Sequence, residues 1–392
     1  MLAIHGGKPA RETYISYGQQ WIDEEDINTV VHTLNSPYIT QGPKIEEFER
    51  KVANYVGAKY AVAFTNGTAA LHAACFAAGI SEGDEVITSP ITFAASANCV
   101  RYVGGVPVFA DIDPKTYNID PTQIERNITS KTKAIIPVDF TGQPVDLDPI
   151  LEVARKHNLV VIEDGAHSIG ATYKGKRVGT QADMTMFSFH PVKHITTAEG
   201  GMIVTDFDEY ARRLKLFRSH GITTQNLSKD EGPWYYEMVE LGYNYRMTDI
   251  QAALGVSQMS RLDEFVRRRR EIVSIYNEEF SKFEAVTIPY QLEETNSSWH
   301  LYMITIDLDK FTVGRREIFE ALRAENIGVH VHYIPVYLHP YYQHLGYNRG
   351  LCTIAEEWYE KALTLPIFPK MSDEDINSVI QGVNKVLDYY SK

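Results

Sequence analysis

A lysine in a loop between two apolar strands is the first residue whose surroundings suggest chemistry. Residues 184–189 predict a strand, and the loop after it carries Lys193 between Pro191 and a run of small residues that leads to the next strand at 202–205. A lysine removed from water has a lowered pKa, and its neutral amine can attack an aldehyde to form an imine. A solvated surface lysine is the alternative, but the small neighbours leave room for a planar molecule.

A carboxylate pair ends another predicted strand. Residues 159–163 are an apolar run that finishes at Glu163, and Asp164 follows directly. A partly buried carboxylate at the edge of a sheet favours the protonated form of a cationic nitrogen beside it, such as that of a pyridinium ring. On this motif alone, the alternative that Asp164 or Glu163 only caps the following turn stays open.

A third motif could hold an anion. The predicted strand at 61–64 is followed by Thr65 and Asn66, and then by Gly67 and Thr68, which open a helical stretch. Free backbone N–H groups and the positive end of the helix dipole attract phosphate at such a place. An ordinary helix N-cap at Thr65 or Asn66 is the alternative.

The elements that must position these residues form an α/β pattern. Short β-branched runs alternate with helical stretches, which predicts a mostly parallel sheet of seven strands covered by helices. The predicted strands are 61–64, 85–88, 106–110, 134–138, 159–163, 184–189 and 202–205. Ligands of such sheets bind beyond the carboxyl ends of the strands, so the three motifs together predict a pyridoxal phosphate (PLP) site.

The rest of the chain predicts a second, smaller unit. Residues 247–270 have the periodicity of one long helix; strands are predicted at 300–307 and 328–333, and helices at 315–324 and from about 373. We therefore predict a large α/β domain over residues 1–255, whose extreme N-terminus packs on the other unit, and a small α+β domain over 256–392.

The composition of the chain limits which binding partners and which cellular compartment are expected. The net charge of −13 argues against nucleic acid and anionic membranes, since both bind basic surfaces. Three scattered cysteines predict neither a disulfide framework nor a thiolate zinc site and fit a reducing cytoplasm. His330 and His332 share one face of a predicted strand, but two histidines alone make a poor zinc site, so no metal is expected.

The ordered motifs resemble the sugar aminotransferases of the DegT/DnrJ/EryC1/StrS family, which have fold type I of the PLP enzymes. The resemblance covers almost the whole chain and is carried by residues 38–43, 65–71, 91–93, 108–113, 163–167, 187–193, 199–201 and 242–246. It implies that PLP cycles through pyridoxamine phosphate (PMP), with glutamate as amino donor and a nucleotide-linked 4-ketosugar as acceptor. It also implies a homodimer with shared active sites.

The same resemblance assigns the site residues. Gly67, Thr68 and Ser188 are expected to hold the phosphate, and Phe93 to stack on the ring. Asp164 is expected to meet the ring nitrogen, with His167 nearby, and Lys193 to carry the cofactor. Asn244 is expected to reach the phosphate of the partner subunit. The candidates for contacts with the nucleotide sugar or glutamate are Arg218, His220, Arg246, His332 and Tyr333.

A finer resemblance concerns the sugar. Residues 187–193, 195–201, 217–221 and 331–333 are similar to the branch that aminates C4 of UDP-4-keto-6-deoxy-N-acetyl-β-L-altrosamine in pseudaminic acid synthesis, although His194 stands where that branch often has proline. The alternatives are another UDP- or dTDP-4-ketosugar, a PMP-dependent sugar dehydratase, in which histidine replaces the lysine, and a non-catalytic regulator.

Overall fold

The chain folds around a seven-stranded sheet flanked by helices. A computed structural model describes residues 1–225, 227–229 and 231–392. Its strands are β1 (Tyr60–Phe64), β2 (Glu85–Thr88), β3 (Val106–Phe109), β4 (Thr132–Ile136), β5 (Val160–Asp164), β6 (Thr172–Tyr173), β7 (Lys176–Arg177), β8 (Met184–Ser188), β9 (Gly201–Thr205), β10 (Ile222–Thr223), β11 (Glu237–Met238), β12 (Val286–Thr287), β13 (Thr295–Asn296), β14 (Tyr302–Ile306) and β15 (Ala362–Leu365).

Helices cover both faces of this sheet and build the second half of the chain. They are α1 (Glu24–Leu34), α2 (Pro43–Val56), α3 (Gly67–Ala77), α4 (Ala95–Tyr102), α5 (Pro121–Arg126), α6 (Leu147–His157), α7 (Asp208–Phe217), α8 (Asp249–Gln258), α9 (Leu262–Phe280), α10 (Arg315–Ala324), α11 (Pro340–His344), α12 (Thr353–Lys361) and α13 (Asp373–Tyr390).

The large sheet has the order β1-β9-β8-β5-β4-β2-β3. β9 is antiparallel to both β1 and β8, and the other neighbours are parallel. Its central strands β5, β8 and β9 are buried on both faces, as their continuous apolar runs predict. The predicted mostly parallel seven-stranded sheet is confirmed, and β5 and β8 lie side by side near its centre.

The smaller sheet has the order β12-β14-β15 and packs with α9, α10 and α13 around a separate hydrophobic core. Leu2 and Ile15 belong to this core, and Ile15 forms a β-bridge with Ile327. The extreme N-terminus therefore packs against the second half of the chain. The predicted division after residue 255 stays a prediction, and Val256, Leu262 and Phe265 still pack in the core beside the large sheet.

Two predictions in the second half were wrong. Residues 247–270 are not one helix, because a 3-10 turn at Met259–Arg261 separates α8 from α9. There the Ser260 hydroxyl donates to the Ser257 carbonyl at 2.6 Å, and Arg261 pairs with Asp23 and Asp26. These local bonds compete with the helical pattern.

Residues 328–333 do not form a strand. His330 makes a single bridge to Thr364 on β15, the strand that pairs with β14 and that the sequence did not reveal. The Gly328 amide instead donates to the carbonyl of Ile15 at 2.8 Å. Pairing with the N-terminal segment thus replaces a continuous ladder.

Candidate active site

The predicted chemical residues meet at one cavity beyond the carboxyl ends of the central strands. The cavity has a volume of about 1010 Å³. Nine of the residues singled out by sequence line it: Gly67, Thr68, Phe93, Asp164, His167, Ser188, Lys193, His332 and Tyr333. They come from both halves of the chain, so the cavity lies between the large sheet and the segment that follows α10.

The N-terminus of α3 lines one part of the cavity. The Asn66 side chain caps this helix by accepting from the Ala69 amide at 2.8 Å, which leaves the first-turn amides of Gly67 and Thr68 without helical acceptors. A Cβ at Gly67 would lie 3.5 Å from the Ser188 hydroxyl oxygen. The hydroxyl and the helix end therefore face the same small space, which fits a phosphate group.

Gly201 explains how a strand can pass so close to this turn. A Cβ at position 201 would lie 2.5 Å from the Asn66 carbonyl oxygen and 2.7 Å from the Gly67 nitrogen. Only glycine permits this approach without a shift of the backbone. The antiparallel strand β9 thus packs directly against the turn that opens α3.

Asp164 ends β5 and is almost completely buried, with 4% of its surface exposed. Its Oδ2 accepts from the Ser96 hydroxyl at 2.6 Å, and its Oδ1 accepts from the Ala166 amide at 3.1 Å. Burial raises the pKa of this carboxyl group, and these two donors and the nearby Lys193 counteract the rise. A cation placed against Asp164 from the cavity would stabilise its charged form.

Lys193 faces the same cavity from the loop between β8 and β9. Its amide donates to the His190 carbonyl at 2.9 Å, which forms a turn at this point of the loop. Burial and the Arg269 cation lower the pKa of its amine from 10.5 to about 8, while Asp164 raises it. The amine is therefore far more often neutral, and nucleophilic, than a surface lysine at the same pH.

Three imidazoles pack around the lysine loop. The ring centroids of His167 and His300 are 4.3 Å apart, and those of His194 and His300 are 5.6 Å apart. Burial lowers the pKa of all three rings well below the usual value, so they are neutral. His194 Nε2 lies 3.0 Å from the Ser298 carbonyl oxygen, so this ring is bonded to the protein interior.

An aromatic wall runs along one side of the cavity. The rings of Tyr333 and His332 are 4.8 Å apart, those of His332 and His330 are 4.4 Å apart, and Tyr17 contacts both histidines. Tyr333 also makes an edge contact at 6.2 Å with Phe93, a residue that lines the cavity and is 62% exposed. These planar faces suit a ring stacked near Lys193 and a second ring further out.

Four predicted residues lie away from the cavity lining of this chain: Asn244, Arg218, His220 and Arg246. Arg218 bonds to Glu49 at 2.5 Å and donates to the Ala63 carbonyl at 2.8 Å, so its guanidinium is engaged by α2 and β1. Asn244 and His220 are exposed on the surface, and Arg246 is half-buried.

Sequence reasoning missed residues whose partners are distant in the chain. Ser96, which is completely buried, bonds to Asp164 across 68 positions, and its hydroxyl lies 2.7 Å from that of Thr92. Tyr17 and His300 reach the cavity from the N-terminal segment and from the approach to β14. The only local signal was a serine four residues after Thr92, at helical spacing.

None of the helices in residues 1–225, 227–229 and 231–392 combines the length and the apolar character needed to cross a bilayer. Within the same residues, no three or more histidine, cysteine, aspartate or glutamate side chains are grouped so as to hold a metal ion. Nδ1 of His330, one of the two histidines considered for zinc, accepts a hydrogen bond from the neighbouring Val331 amide at 2.8 Å.

Solved structures share this architecture over nearly the whole chain. The aminotransferase PseC of Helicobacter pylori, involved in the biosynthesis of pseudaminic acid, superposes with a TM-score of 0.90 at 34% identity, covering 96% of this chain and 100% of that one. The sugar aminotransferase Spr1654 of Streptococcus pneumoniae, solved in PLP and PMP forms, has TM-scores of 0.89 and 0.90 at 33% identity, covering 96% of this chain and 99% of each. The fold is that of a PLP-dependent aminotransferase.

Sequence relatives agree with that class. The spore coat polysaccharide biosynthesis protein SpsC of Bacillus subtilis is 43% identical, covering 96% of this chain and 98% of the relative. The UDP-4-amino-4,6-dideoxy-N-acetyl-β-L-altrosamine transaminase of Campylobacter jejuni is 38% identical, with 96% and 99% coverage. The profile of the DegT/DnrJ/EryC1/StrS aminotransferase family matches residues 20–384. The chain belongs to this family and is a PLP-dependent aminotransferase of nucleotide sugars.

Proposed function

We propose that the enzyme transfers the amino group of glutamate to C4 of a nucleotide-linked 4-keto-6-deoxy sugar, with UDP-4-keto-6-deoxy-N-acetyl-β-L-altrosamine as the first substrate to test. The observation that carries this proposal is the pair of Lys193 and Asp164 on the wall of one cavity, each with a shifted pKa. The resemblance to the transaminase of C. jejuni supports the particular sugar.

The residues present fit PLP, and each fits a different part of it. The α3 N-terminus with Ser188 suits the phosphate, the exposed ring of Phe93 suits the pyridine face, and buried Asp164 suits the ring nitrogen. When bound, PLP supplies an electron-withdrawing ring that stabilises negative charge on a substrate carbon. We propose that His167 lies beside this ring.

In this proposal Lys193 has two roles. Its neutral amine would hold the cofactor covalently, and once glutamate occupies the site the same amine would move a proton between the substrate carbon and the cofactor. A pKa of about 8 suits both tasks, because the amine can accept a proton and give it up near neutral pH. The buried carboxylate of Asp164 holds the ring nitrogen in its protonated form.

The size and lining of the cavity support a large second substrate. Ligand pockets of about 300–1,000 Å³ are usual, and this one lies at the upper end at about 1010 Å³, which leaves space beside a cofactor. We propose that His332 and Tyr333 contact the nucleotide sugar along the aromatic wall. Arg218, with its guanidinium engaged by Glu49, is a weaker candidate than the sequence suggested.

The remaining proposals concern the assembly and the compartment. Asn244 follows a segment with exposed apolar side chains, among them Trp234 and Leu241, each 76% exposed. Such exposure favours contact with another protein surface, which supports a homodimer in which Asn244 and its neighbour Arg246 reach the partner's cavity. Cys75, Cys99 and Cys352 are free thiols, which suits a reducing cytoplasm.

Absorption spectra of the PLP-loaded protein test the proposed function. We expect a visible cofactor band that glutamate abolishes and that a 4-ketosugar restores, with the UDP-altrosamine ketosugar acting faster than other UDP- or dTDP-linked ketosugars. Lys193→Ala should lose turnover, whereas Lys174→Ala, on the surface and paired with Asp148 at 2.7 Å, should retain it.

Different outcomes point to the alternative functions. If another ketosugar reacted faster, that ketosugar would be the proposed substrate. A spectrum that neither glutamate nor any ketosugar changes would favour a non-catalytic regulator. Loss of the sugar hydroxyl without amine transfer would indicate a dehydratase, and full turnover by Lys193→Ala would refute the role of the lysine.

A further inference from the structure

The loop that carries Lys193 is bonded to the second half of the chain by the next residue, His194. This histidine is 2% exposed, and its Nε2 lies 3.0 Å from the carbonyl oxygen of Ser298. A carbonyl oxygen only accepts hydrogen bonds, so Nε2 carries a proton and donates the bond. Nδ1 of the same ring has no hydrogen-bond partner among the residues that the structure describes. The bond to Ser298 is therefore the polar contact that holds this buried ring.

Ser298 bonds to three segments that leave neighbouring strands of the large sheet. It is completely buried, its amide donates to the Gly142 carbonyl at 3.0 Å, and its hydroxyl donates to the His167 carbonyl at 2.9 Å. Its own carbonyl is the acceptor for His194. Gly142 follows β4, His167 follows β5 and His194 follows β8, and these three strands are adjacent. One residue of the second half thus joins the strand ends on which the site is built.

The segment around Ser298 is itself held from two sides. Arg269 on α9 is fully buried, and its Nη1 donates to the carbonyls of Trp299 and His300 at 3.1 Å each. On the other side, a Cβ at Gly142 would lie 2.8 Å from the backbone nitrogens of Trp299 and His300, so the two backbones are in direct contact. The Ser298 carbonyl is therefore a fixed acceptor for the His194 ring.

Lys193 needs such a fixed point because its side chain is long and flexible. Residues 189–200, all described by the structure, form neither helix nor strand between β8 and β9, so the place of the Lys193 backbone depends on bonds made by its neighbours. A misplacement of about 1 Å can lower the rate of a reaction about a hundredfold. We propose that the hydrogen bond from His194 to Ser298 positions Lys193 for its covalent bond with the cofactor. This inference rests on the proposed function and makes His194 a positioning residue.

Hydrogen exchange of the cofactor-free protein tests whether this bond holds the loop. His194→Leu removes the donor, whereas His194→Gln offers an amide N–H with a similar reach. The Lys193 and Thr197 amides donate to loop carbonyls at 2.9 Å and 3.0 Å, so their exchange reports local opening. We expect about tenfold faster exchange in His194→Leu and no change in His194→Gln. Tyr276→Phe also removes the donor to a buried carbonyl, that of Pro366 in the core around the smaller sheet, and as the matched control should leave both amides unchanged.

A comparison of PLP with PMP separates positioning of the lysine from general damage to the site. Covalent attachment of PLP exchanges the aldehyde oxygen for the Lys193 nitrogen and releases water, whereas PMP has no aldehyde and binds without the lysine bond. We expect His194→Leu to slow covalent attachment, followed by absorbance, about tenfold, while the dissociation constant of PMP stays within about twofold. His194→Gln should restore the rate of attachment, and Tyr276→Phe should change neither quantity.

Either experiment can overturn the proposal. Unchanged exchange of the two loop amides in His194→Leu would show that the bond to Ser298 does not hold the loop. Equal slowing of attachment in His194→Leu and His194→Gln, or an equal loss of PMP affinity, would exclude positioning through this hydrogen bond. The exchange experiment needs neither cofactor nor turnover. If the unmodified chain took up no PLP, the proposed function would fail while the exchange result still decided the role of the bond, so the two failures can be told apart.

Discussion

Replacing Lys193 with methionine should make the cofactor-free protein more stable while removing its activity. The pKa of the amine falls from 10.5 to about 8 in the folded chain. Folding therefore disfavours the ammonium ion, because burial and the Arg269 cation act against its charge. Methionine has a similar length and no charge, so this cost disappears in the variant.

The size of the effect follows from the two pKa values. A difference of about 2.5 units at about 1.36 kcal/mol per unit gives an upper bound of about 3 kcal/mol. The sign is set by proton binding, since the unfolded chain binds more protons than the folded one between pH 8 and 10.5. The penalty of Lys193 is thus complete below pH 8, shrinks as the pH rises from 8 to 10.5, and is absent above that range.

Urea unfolding of both cofactor-free proteins at pH 7 and at about pH 10.5 measures this difference. We expect Lys193→Met to gain about 2–3 kcal/mol at pH 7 and much less at the higher pH. Lys174→Met is the matched control, because Lys174 is exposed and its pKa is raised by hydrogen bonds to Asp148 and Glu294, so its loss should bring no gain. An equal gain at both pH values, or no gain at pH 7, would refute a desolvated ammonium at position 193.

Three further substitutions test the site and its support. Ser96→Ala removes the 2.6 Å bond to Asp164 and should weaken PLP binding by about tenfold in an absorbance titration. Gly201→Ala would place a methyl group 2.5 Å from the Asn66 carbonyl oxygen, and denaturant unfolding should show a loss of about 1–3 kcal/mol. Arg218→Met breaks a largely buried ion pair and should cost about 3–5 kcal/mol of stability while leaving the KM for both substrates unchanged.

Each of these three substitutions can be checked against a result that would contradict its argument, and two of them have a control variant. Thr122→Ala removes a surface hydroxyl and should leave PLP affinity unchanged, so similar losses in Ser96→Ala would be non-specific. Gly314→Ala would meet only the flexible Glu317 carboxylate at 3.2 Å, and a loss as large as that of Gly201→Ala would contradict the steric argument. If Arg218→Met raised the KM without a loss of stability, Arg218 would again be a candidate for binding the substrate.

Many residues that line the candidate site were readable from the sequence because local patterns determine them. β-branched runs predicted the seven strands, and the rule that ligands bind beyond strand ends pointed to Asp164 and the loop of Lys193. A turn with glycine after β1 indicated the anion site at α3. Resemblance to a family then supplied roles that no local pattern contains, such as that of Phe93.

Only the tertiary structure could decide how these residues act on one another. Ser96 supports Asp164 across 68 positions, and the pKa of Lys193, in a loop, depends on Arg269 in α9. Arg218 proved to be engaged by Glu49, which composition and spacing could not reveal. Charge, burial and hydrogen bonding act through space over a few ångströms, whereas sequence patterns record neighbours along the chain. The sequence therefore identified the chemical groups, and only the tertiary structure determined how their surroundings shift their pKa values.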